Sequence, residues 1–293
     1  MRWMRAGALT AAVLAVALAA GGCAPVDVVS DSSDAGGPAV EVSPVAETPG
    51  VLQPPFGKAL DYQLGGSYPV ANGVGLVTRD STAMPETGVY SVCYVNGFQS
   101  QPGDDDRWLT GAPDLVLRGA DGHPVVDENW PDEFILDASS SDKRERIFAL
   151  VKQSISACAE SGFDAVEIDN LDSYSRSGGR LSIDDALALA RLYVDDAHSL
   201  DLAIGQKNSA EIGDRGRSEA GFDFAVTEEC MRFEECPQFE AVYGDAVMDI
   251  EYADDLPDPF AEICASPDRP ATTTLRDRDL VAKGESGYVF EHC

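Results

Sequence analysis

The chain has 293 residues, with 51 Asp and Glu against 21 Lys and Arg, a formal net charge of -30 at pH 7. That sign excludes nucleic acid as a natural partner, because neutralising phosphates requires a cationic face. Three scattered histidines and seven cysteines without a Cys-x-x-Cys pair also argue against zinc.

The first stretch is a leader. Arg2 and Arg5 precede an apolar run from Ala6 to Ala20, and Ala20-Gly21-Gly22-Cys23 follows as an imperfect lipobox. The run is short of the roughly 20 apolar residues that span a bilayer. A lipoprotein signal peptide over 1–22 and lipidation of Cys23 are expected, with export to the outer face of a bacterial cell membrane. Residues 23–54 are rich in Pro, Gly, Ser and Asp without helical or alternating order, so a flexible tether is expected there. The membrane is then a partner only through the lipid.

Residues 55–293 read as one domain. Lys58–Leu64, Gly73–Arg79, Gly88–Phe98 and Glu133–Ala138 are the first four strand candidates. Gly162–Asp169, Asp201–Lys207, Phe222–Glu228 and Ala246–Tyr252 are the next four. Asp142 with Glu145 suggests a capping box, followed by Ile147, Leu150, Val151, Ser154 and Cys158 at helical spacing. Ser182 with Asp185 opens a second helix, whose core face is Ile183, Leu187, Ala190, Val194 and Ala197. Strands joined by crossover helices predict an α/β fold, a (β/α)8 TIM-type barrel. Only short Gly- and Pro-containing segments join the first three strands, so the outer helical ring is expected to be incomplete in the first half. The polar stretch Gln99–Pro131, with Trp108 and Trp130, is expected to cover one end of the barrel.

Six cysteines remain once Cys23 is set aside, which permits three disulfides in an oxidising compartment. Proximity in sequence pairs Cys230 with Cys236 and Cys264 with Cys293, leaving Cys93 for Cys158. A monomer is expected.

Polar residues gather at the strand ends: Asp61 and Gln63, Tyr94 and Asn96, Asp137, Glu167 with Asp169 and Asn170, Gln206 with Lys207 and Asn208, Glu228 and Glu229, Glu251 and Tyr252. In a barrel these ends converge on one mouth. The expected result is a cleft of carboxylates around one lysine, with Trp108, Trp130, Tyr94, Tyr174 and Tyr252 as aromatic faces for a sugar. None of His123, His198 and His292 falls at a strand end, which disfavours a Ser-His triad. Asp169-Asn170-Leu171-Asp172 lacks the glycine and the distant glutamate of an EF-hand loop, and neither metal nor cofactor is expected. Paired carboxylates suit glycoside hydrolysis, in which one protonates the leaving oxygen while the other attacks or activates water.

Taken in order, Asp61-Tyr62-Gln63, Cys93-Tyr94, Glu167-Ile168-Asp169-Asn170-Leu171-Asp172, Lys207-Asn208, Thr227-Glu228-Glu229-Cys230 and Glu251-Tyr252 resemble the endo-α-1,4-polygalactosaminidase family, glycoside hydrolase family 114. The resemblance runs from about Phe56 onward and implies a barrel that cleaves α-1,4-linked galactosamine polymers, with Asp169 and Glu228 as catalytic carboxylates. Ile168 stands where the family usually has Pro, and Thr227 and Glu229 where it has Asn and Gln. Asp61, Gln63, Tyr94, Trp130, Asn170, Asp172, Tyr174, Lys207, Asn208, Glu251 and Tyr252 are expected to bind substrate. Asp169 is expected to be the nucleophile, held ionised by Asn170 and Lys207. Glu228 is expected to be the general acid and base, with its pKa raised by neighbouring acids. The partner is then a polysaccharide, a cationic amino-sugar polymer that an acidic cleft would concentrate. Two alternatives stay open: a non-catalytic carbohydrate-binding lipoprotein, and a metal-dependent hydrolase using the same acids.

Overall fold

A computed structural model describes residues 50–293. The signal segment 1–22, Cys23 and the tether as far as residue 49 lie outside the described residues. The end of the expected tether already belongs to the domain, since the Leu52 carbonyl accepts a hydrogen bond from the Tyr90 hydroxyl at 2.6 Å. Among the described residues no helix is long and apolar enough to cross a membrane.

Eight parallel strands follow one another around a barrel in chain order. They are β1 (Ala59–Gln63), β2 (Val74–Asp80), β3 (Tyr90–Asn96), β4 (Ala165–Asp169), β5 (Ala203–Lys207), β6 (Phe224–Glu228), β7 (Val247–Tyr252) and β8 (Thr272–Arg276). A short β9 (Phe290–His292) pairs antiparallel to β8. No ladder joins β8 to β1, so the barrel is nearly rather than fully closed. Arg276 lies at that seam, fully buried, with Nε on the Val289 carbonyl, Nη2 on the Val281 carbonyl and Nη1 3.7 Å from Asp61.

Two strand assignments are corrected. Glu133–Ala138 is not a barrel strand, because β3 pairs directly with β4. Its apolar Ile135 and Leu136 are buried, but their backbone partners are Val125, Leu117 and Phe98, in an antiparallel excursion between β3 and β4. The eighth barrel strand is Thr272–Arg276, whose Thr-rich run lacks the aliphatic alternation that marks the others. Asp169 therefore ends the fourth strand and Glu228 the sixth.

Helix α1 (Ser141–Ser161) starts two residues earlier than the expected capping box, with the Ser140 side chain accepting from Lys143 N. It buries Ile147, Val151, Ile155 and Cys158 against the outside of the sheet and ends at Gly162, whose φ of 90° is the left-handed value glycine adopts without penalty. After the short α2 (Ser173–Arg176), α3 (Ile183–Ser199) opens with the expected Ser182–Asp185 capping box. Helices α4 (Cys236–Tyr243) and α5 (Phe260–Ala265) are shorter, and no helix separates β1, β2 and β3. The outer ring is thus thin over the first strands. All three expected disulfides are present: Cys93–Cys158 ties β3 to α1, Cys230–Cys236 closes a six-residue loop, and Cys264–Cys293 fastens β9 to α5.

Strand alternation sets the barrel's two faces. Val166, Ile168 and Ile204 point outward into a core shared with the helices. Leu60, Leu76, Val92, Ala165, Phe224, Val226, Met248 and Ile250 fill the interior. Gly205 is needed in that floor, since a Cβ there would lie 2.4 Å from the Phe224 ring. Above this apolar floor the same inward stripe turns polar.

Candidate active site

The polar layer is built from the last inward residue or two of each strand. Tyr62 comes from β1, Tyr94 from β3, Glu167 and Asp169 from β4, Lys207 from β5, Glu228 from β6 and Tyr252 from β7. Lys207 is their centre. Its buried ammonium lies 2.9 Å from Glu167 Oε1, 3.3 Å from Glu228 Oε2 and 3.7 Å from Asp169 Oδ1, and it donates to the Tyr62 hydroxyl at 3.1 Å. Burial alone would draw the Lys207 pKa down, but Asp169, Glu167 and Glu228 outweigh it and hold the amine well above its ordinary value.

Each carboxylate has its own donors. Tyr94 donates to Asp169 Oδ2 at 2.5 Å, and Tyr62 to Glu167 Oε1 at 2.6 Å. Glu228 accepts from the Tyr252 hydroxyl and from Asn208 Nδ2 at 3.2 Å, while its backbone N–H is held by Asn208 Oδ1 at 2.8 Å. Burial pushes Glu228 up, yet Lys207, Tyr252 and Asn208 together leave its carboxyl below the usual value. The expected upward shift of Glu228 is therefore corrected, because an ammonium and two neutral donors face it where further acids were expected. Glu229, the acid next to Glu228 in sequence, turns aside and pairs with Arg278 at 2.8 Å.

Asp169 Oδ1 and Glu228 Oε2 share Lys207 Nζ, so they are no further apart than those two contacts laid end to end, about 7.0 Å. Both reach the cleft, with their side chains 18% and 30% exposed. The residue after each of these strand ends bends sharply: Asn170, Asn208 and Glu229 have φ of 66°, 45° and 60°. Left-handed backbone at these exits turns the chain aside and leaves Asp169, Lys207 and Glu228 at the mouth.

The cleft has a volume of about 440 Å3, and Tyr94, Trp130, Asp169, Asn170, Asp172, Lys207, Asn208, Glu228 and Tyr252 of the expected set line it. Other expected positions lie elsewhere. Asp61 and Gln63 point outward from β1, where Asp61 accepts from Tyr68 and Gln63, and Gln63 accepts from Arg79. Glu251 points outward from β7 and caps Met231 N at 2.9 Å. In all three cases the neighbour at odd spacing, Tyr62 or Tyr252, is the one that faces the mouth. Tyr174 turns away to hydrogen-bond Glu211. Trp108 is 2% exposed in the core under the excursion, whereas Trp130 is 61% exposed at the rim. Asp137, also expected at the mouth, instead accepts from Ser139 and Lys143 ahead of α1.

Sequence reasoning missed the residues that the excursion and α2 bring in. Glu133 lines the cleft, and its Oε2 accepts from Asn96 at 2.9 Å and Asn170 at 3.3 Å. Burial, with Asp169 and Asp127 nearby, raises its pKa to about 7 against the opposing hydrogen bond from Asn96. Arg176 bridges Asp127 at 2.6 Å and Asp172 at 2.5 Å, and so neutralises two rim acids. Asp80 ends β2 beside Gln101. Glu133 and Arg176 belong to no strand exit, whereas Asp80 is the last residue of β2 and carries that signal. Among the described residues, the one group of close metal-type ligands is Cys230, Cys236 and Asp249, and its two sulfurs are joined as a disulfide.

A family model described as glycoside-hydrolase family GH114 matches residues 42–293. No curated protein matches the chain. Among solved structures, Ega3 of Aspergillus fumigatus in complex with galactosamine is similar with a TM-score of 0.65 at 20% identity, covering 83% of this chain and 97% of that one. The glycoside hydrolase domain of PelA from Pseudomonas aeruginosa is similar with a TM-score of 0.54 at 12% identity, covering 78% and 98%. At these identities the likeness is one of fold.

Proposed function

Because the chain belongs to glycoside hydrolase family 114, we propose that it is an endo-acting hydrolase of α-1,4-linked galactosamine polymers, with Asp169 and Glu228 as its two working carboxylates. The observation that carries this reading is the meeting of Asp169 and Glu228 on Lys207 at the barrel mouth, with their nearer oxygens within about 7.0 Å. That bound admits both the roughly 5–5.5 Å separation of retaining enzymes and the lower end of the roughly 6.5–9.5 Å range of inverting ones, and the retaining course is the one proposed. The galactosamine held by the structurally similar Ega3 supports an amino sugar as substrate, and the acidic chain favours its ammonium groups.

In this mechanism Asp169 attacks the anomeric carbon as the glycosidic C–O bond breaks, and the protonated form of Glu228, a minority that Lys207 disfavours in the free enzyme, gives its proton to the leaving oxygen. Glu228 then takes a proton from water, which attacks the glycosyl–Asp169 ester and restores both carboxyls. Glu228 suits the leaving-group side because it also borders a second groove, whereas Asp169 borders only the cleft. Export and anchoring through a lipid on Cys23 complete the proposal and rest on the leader sequence. Digestion of α-1,4-galactosamine oligosaccharides by the soluble domain, followed by mass spectrometry, tests it. Shorter oligomers with a newly formed α anomer are expected, and intact substrate at high enzyme concentration would refute it.

A further inference from the structure

Beyond Glu228 the cleft opens into a second groove of about 650 Å3. The two spaces are continuous, since Trp130, Asp172, Asn208, Glu228 and Tyr252 border both. The groove's outer wall is the loop closed by Cys230–Cys236, which carries Phe233. Phe233 is 56% exposed, although a residue with so much apolar surface is ordinarily covered. Its backbone is fixed by Phe233 N on the Glu229 carbonyl at 2.9 Å and Glu235 N on the Cys230 carbonyl at 2.8 Å. The Arg232 guanidinium lies 5.8 Å from the ring centroid and pairs with Asp255 at 3.1 Å. Phe233 is thus a rigidly mounted aromatic presented to the groove.

The groove's charges are unequal. Its arginine, Arg278, is held by Glu229 and Asp254 at 2.8 and 2.9 Å. Glu211 and Glu235 also line it and have no ion-pair partner among the described residues. Their proximity and partial burial lift the Glu235 pKa, burial being the larger cause.

We propose that this groove binds the amino-sugar units on the leaving-group side of the scissile bond, with Phe233 as a stacking platform and Glu211 and Glu235 as acceptors for their ammonium groups. The inference rests on the proposed glycosidase reading. It follows from the continuity of the two spaces at Glu228, from an exposed ring on a cross-linked loop, and from two acids without an ion-pair partner among the described residues, one of which, Glu211, accepts from the Tyr174 hydroxyl. Sugar rings stack on such aromatic faces, and a platform held in place loses little entropy on binding.

The test uses the full chain carrying Asp169→Asn, which leaves the groove's lining untouched, and α-1,4-galactosamine oligosaccharides of two and six units. Binding is followed by calorimetry. The hexamer is expected to bind more tightly than the dimer, and adding Phe233→Ala should weaken the hexamer about tenfold, a typical aromatic-contact effect, while Phe233→Tyr restores it. Glu211→Gln with Glu235→Gln should weaken the hexamer at low salt and erase the advantage of free amines over N-acetylated units. Equal affinity of dimer and hexamer, or an unchanged hexamer affinity in Phe233→Ala, would overturn the groove while leaving the glycosidase reading intact. Failure of both oligosaccharides to bind would remove the two together.

Discussion

Lys207→Met removes the charge on which the cleft is assembled. The substitution keeps a long unbranched side chain in the barrel, so the lost contacts are chiefly electrostatic. Glu167 is fully buried and loses its 2.9 Å partner, while Glu228 and Asp169 lose contacts at 3.3 and 3.7 Å. Leaving a buried ion without its partner costs about 3–5 kcal/mol. For a domain of this size each kcal/mol moves Tm by about 2–4 °C, so a fall of about 6–20 °C is expected. The pH dependence follows from the sign of the shifts. Burial raises Glu167 above its ordinary value even with Lys207 present, and loss of the ammonium raises it further. A carboxyl raised in the folded state binds more protons folded than unfolded, so stability falls as pH rises from about 4.5 toward the folded value. The deficit of the variant should therefore be larger at pH 8 than at pH 5. Thermal and urea unfolding at those two pH values measure it. A loss below about 1 kcal/mol, or a deficit independent of pH, would refute the account of Lys207 as the cation that keeps three acids together.

Asp169→Asn and Glu228→Gln should each cut turnover by at least about 10²-fold with Tm nearly unchanged; a fall in Tm with near-parental turnover would make them loop-holding residues instead. Glu228 sits below its ordinary value and Glu133 at about 7, so the basic limb of the kcat/KM profile distinguishes them as proton donors. A basic limb lying well below pH 7 that persists in Glu133→Gln is expected, and a basic limb near 7 that vanishes in that variant would transfer the role to Glu133. Burial raises Glu251 to about 7 against the hydrogen bond from Met231 N, so stability should decline as pH rises from about 4.5 through 7. Glu251→Gln should flatten that part of a Tm-against-pH curve, and an unaltered slope would show that Glu251 does not titrate there. Cys23→Ser should move the protein from the detergent phase to the aqueous phase in partitioning of cells expressing it; continued detergent partitioning would dismiss the lipid anchor.

The barrel was legible because β4, β5, β6 and β7 carry aliphatic residues inward and outward and then end abruptly in acids and amides. A cluster of polar residues marks a strand end without stating which of them faces the barrel interior. Asp61, Gln63 and Glu251 were misplaced because a two-residue period sends them to the face opposite Tyr62 and Tyr252. The excursion was illegible for another reason. Ile135 and Leu136 look like any buried strand, and nothing local says that they pair within a loop rather than with the barrel. Glu133 and Arg176 reach the cleft through that loop and the short α2, so no spacing rule would have found them. Thr272–Arg276 hid because threonine supplies the β-branched shape of a strand without its apolar signature.

The backward-turning backbone after Asp169, Lys207 and Glu228 bears on how a mutational screen of this protein would be interpreted. At Asn170, Asn208 and Glu229 most L side chains raise the energy of the turn before any contact is considered, β-branched ones most of all. A survey scoring activity alone would return all three as intolerant and class them with the carboxylates they follow. Glycine separates the two causes, because it deletes the side chain and keeps the turn. Where glycine works and alanine fails, the position encodes the path of the chain, and only a position that rejects both encodes a chemical group.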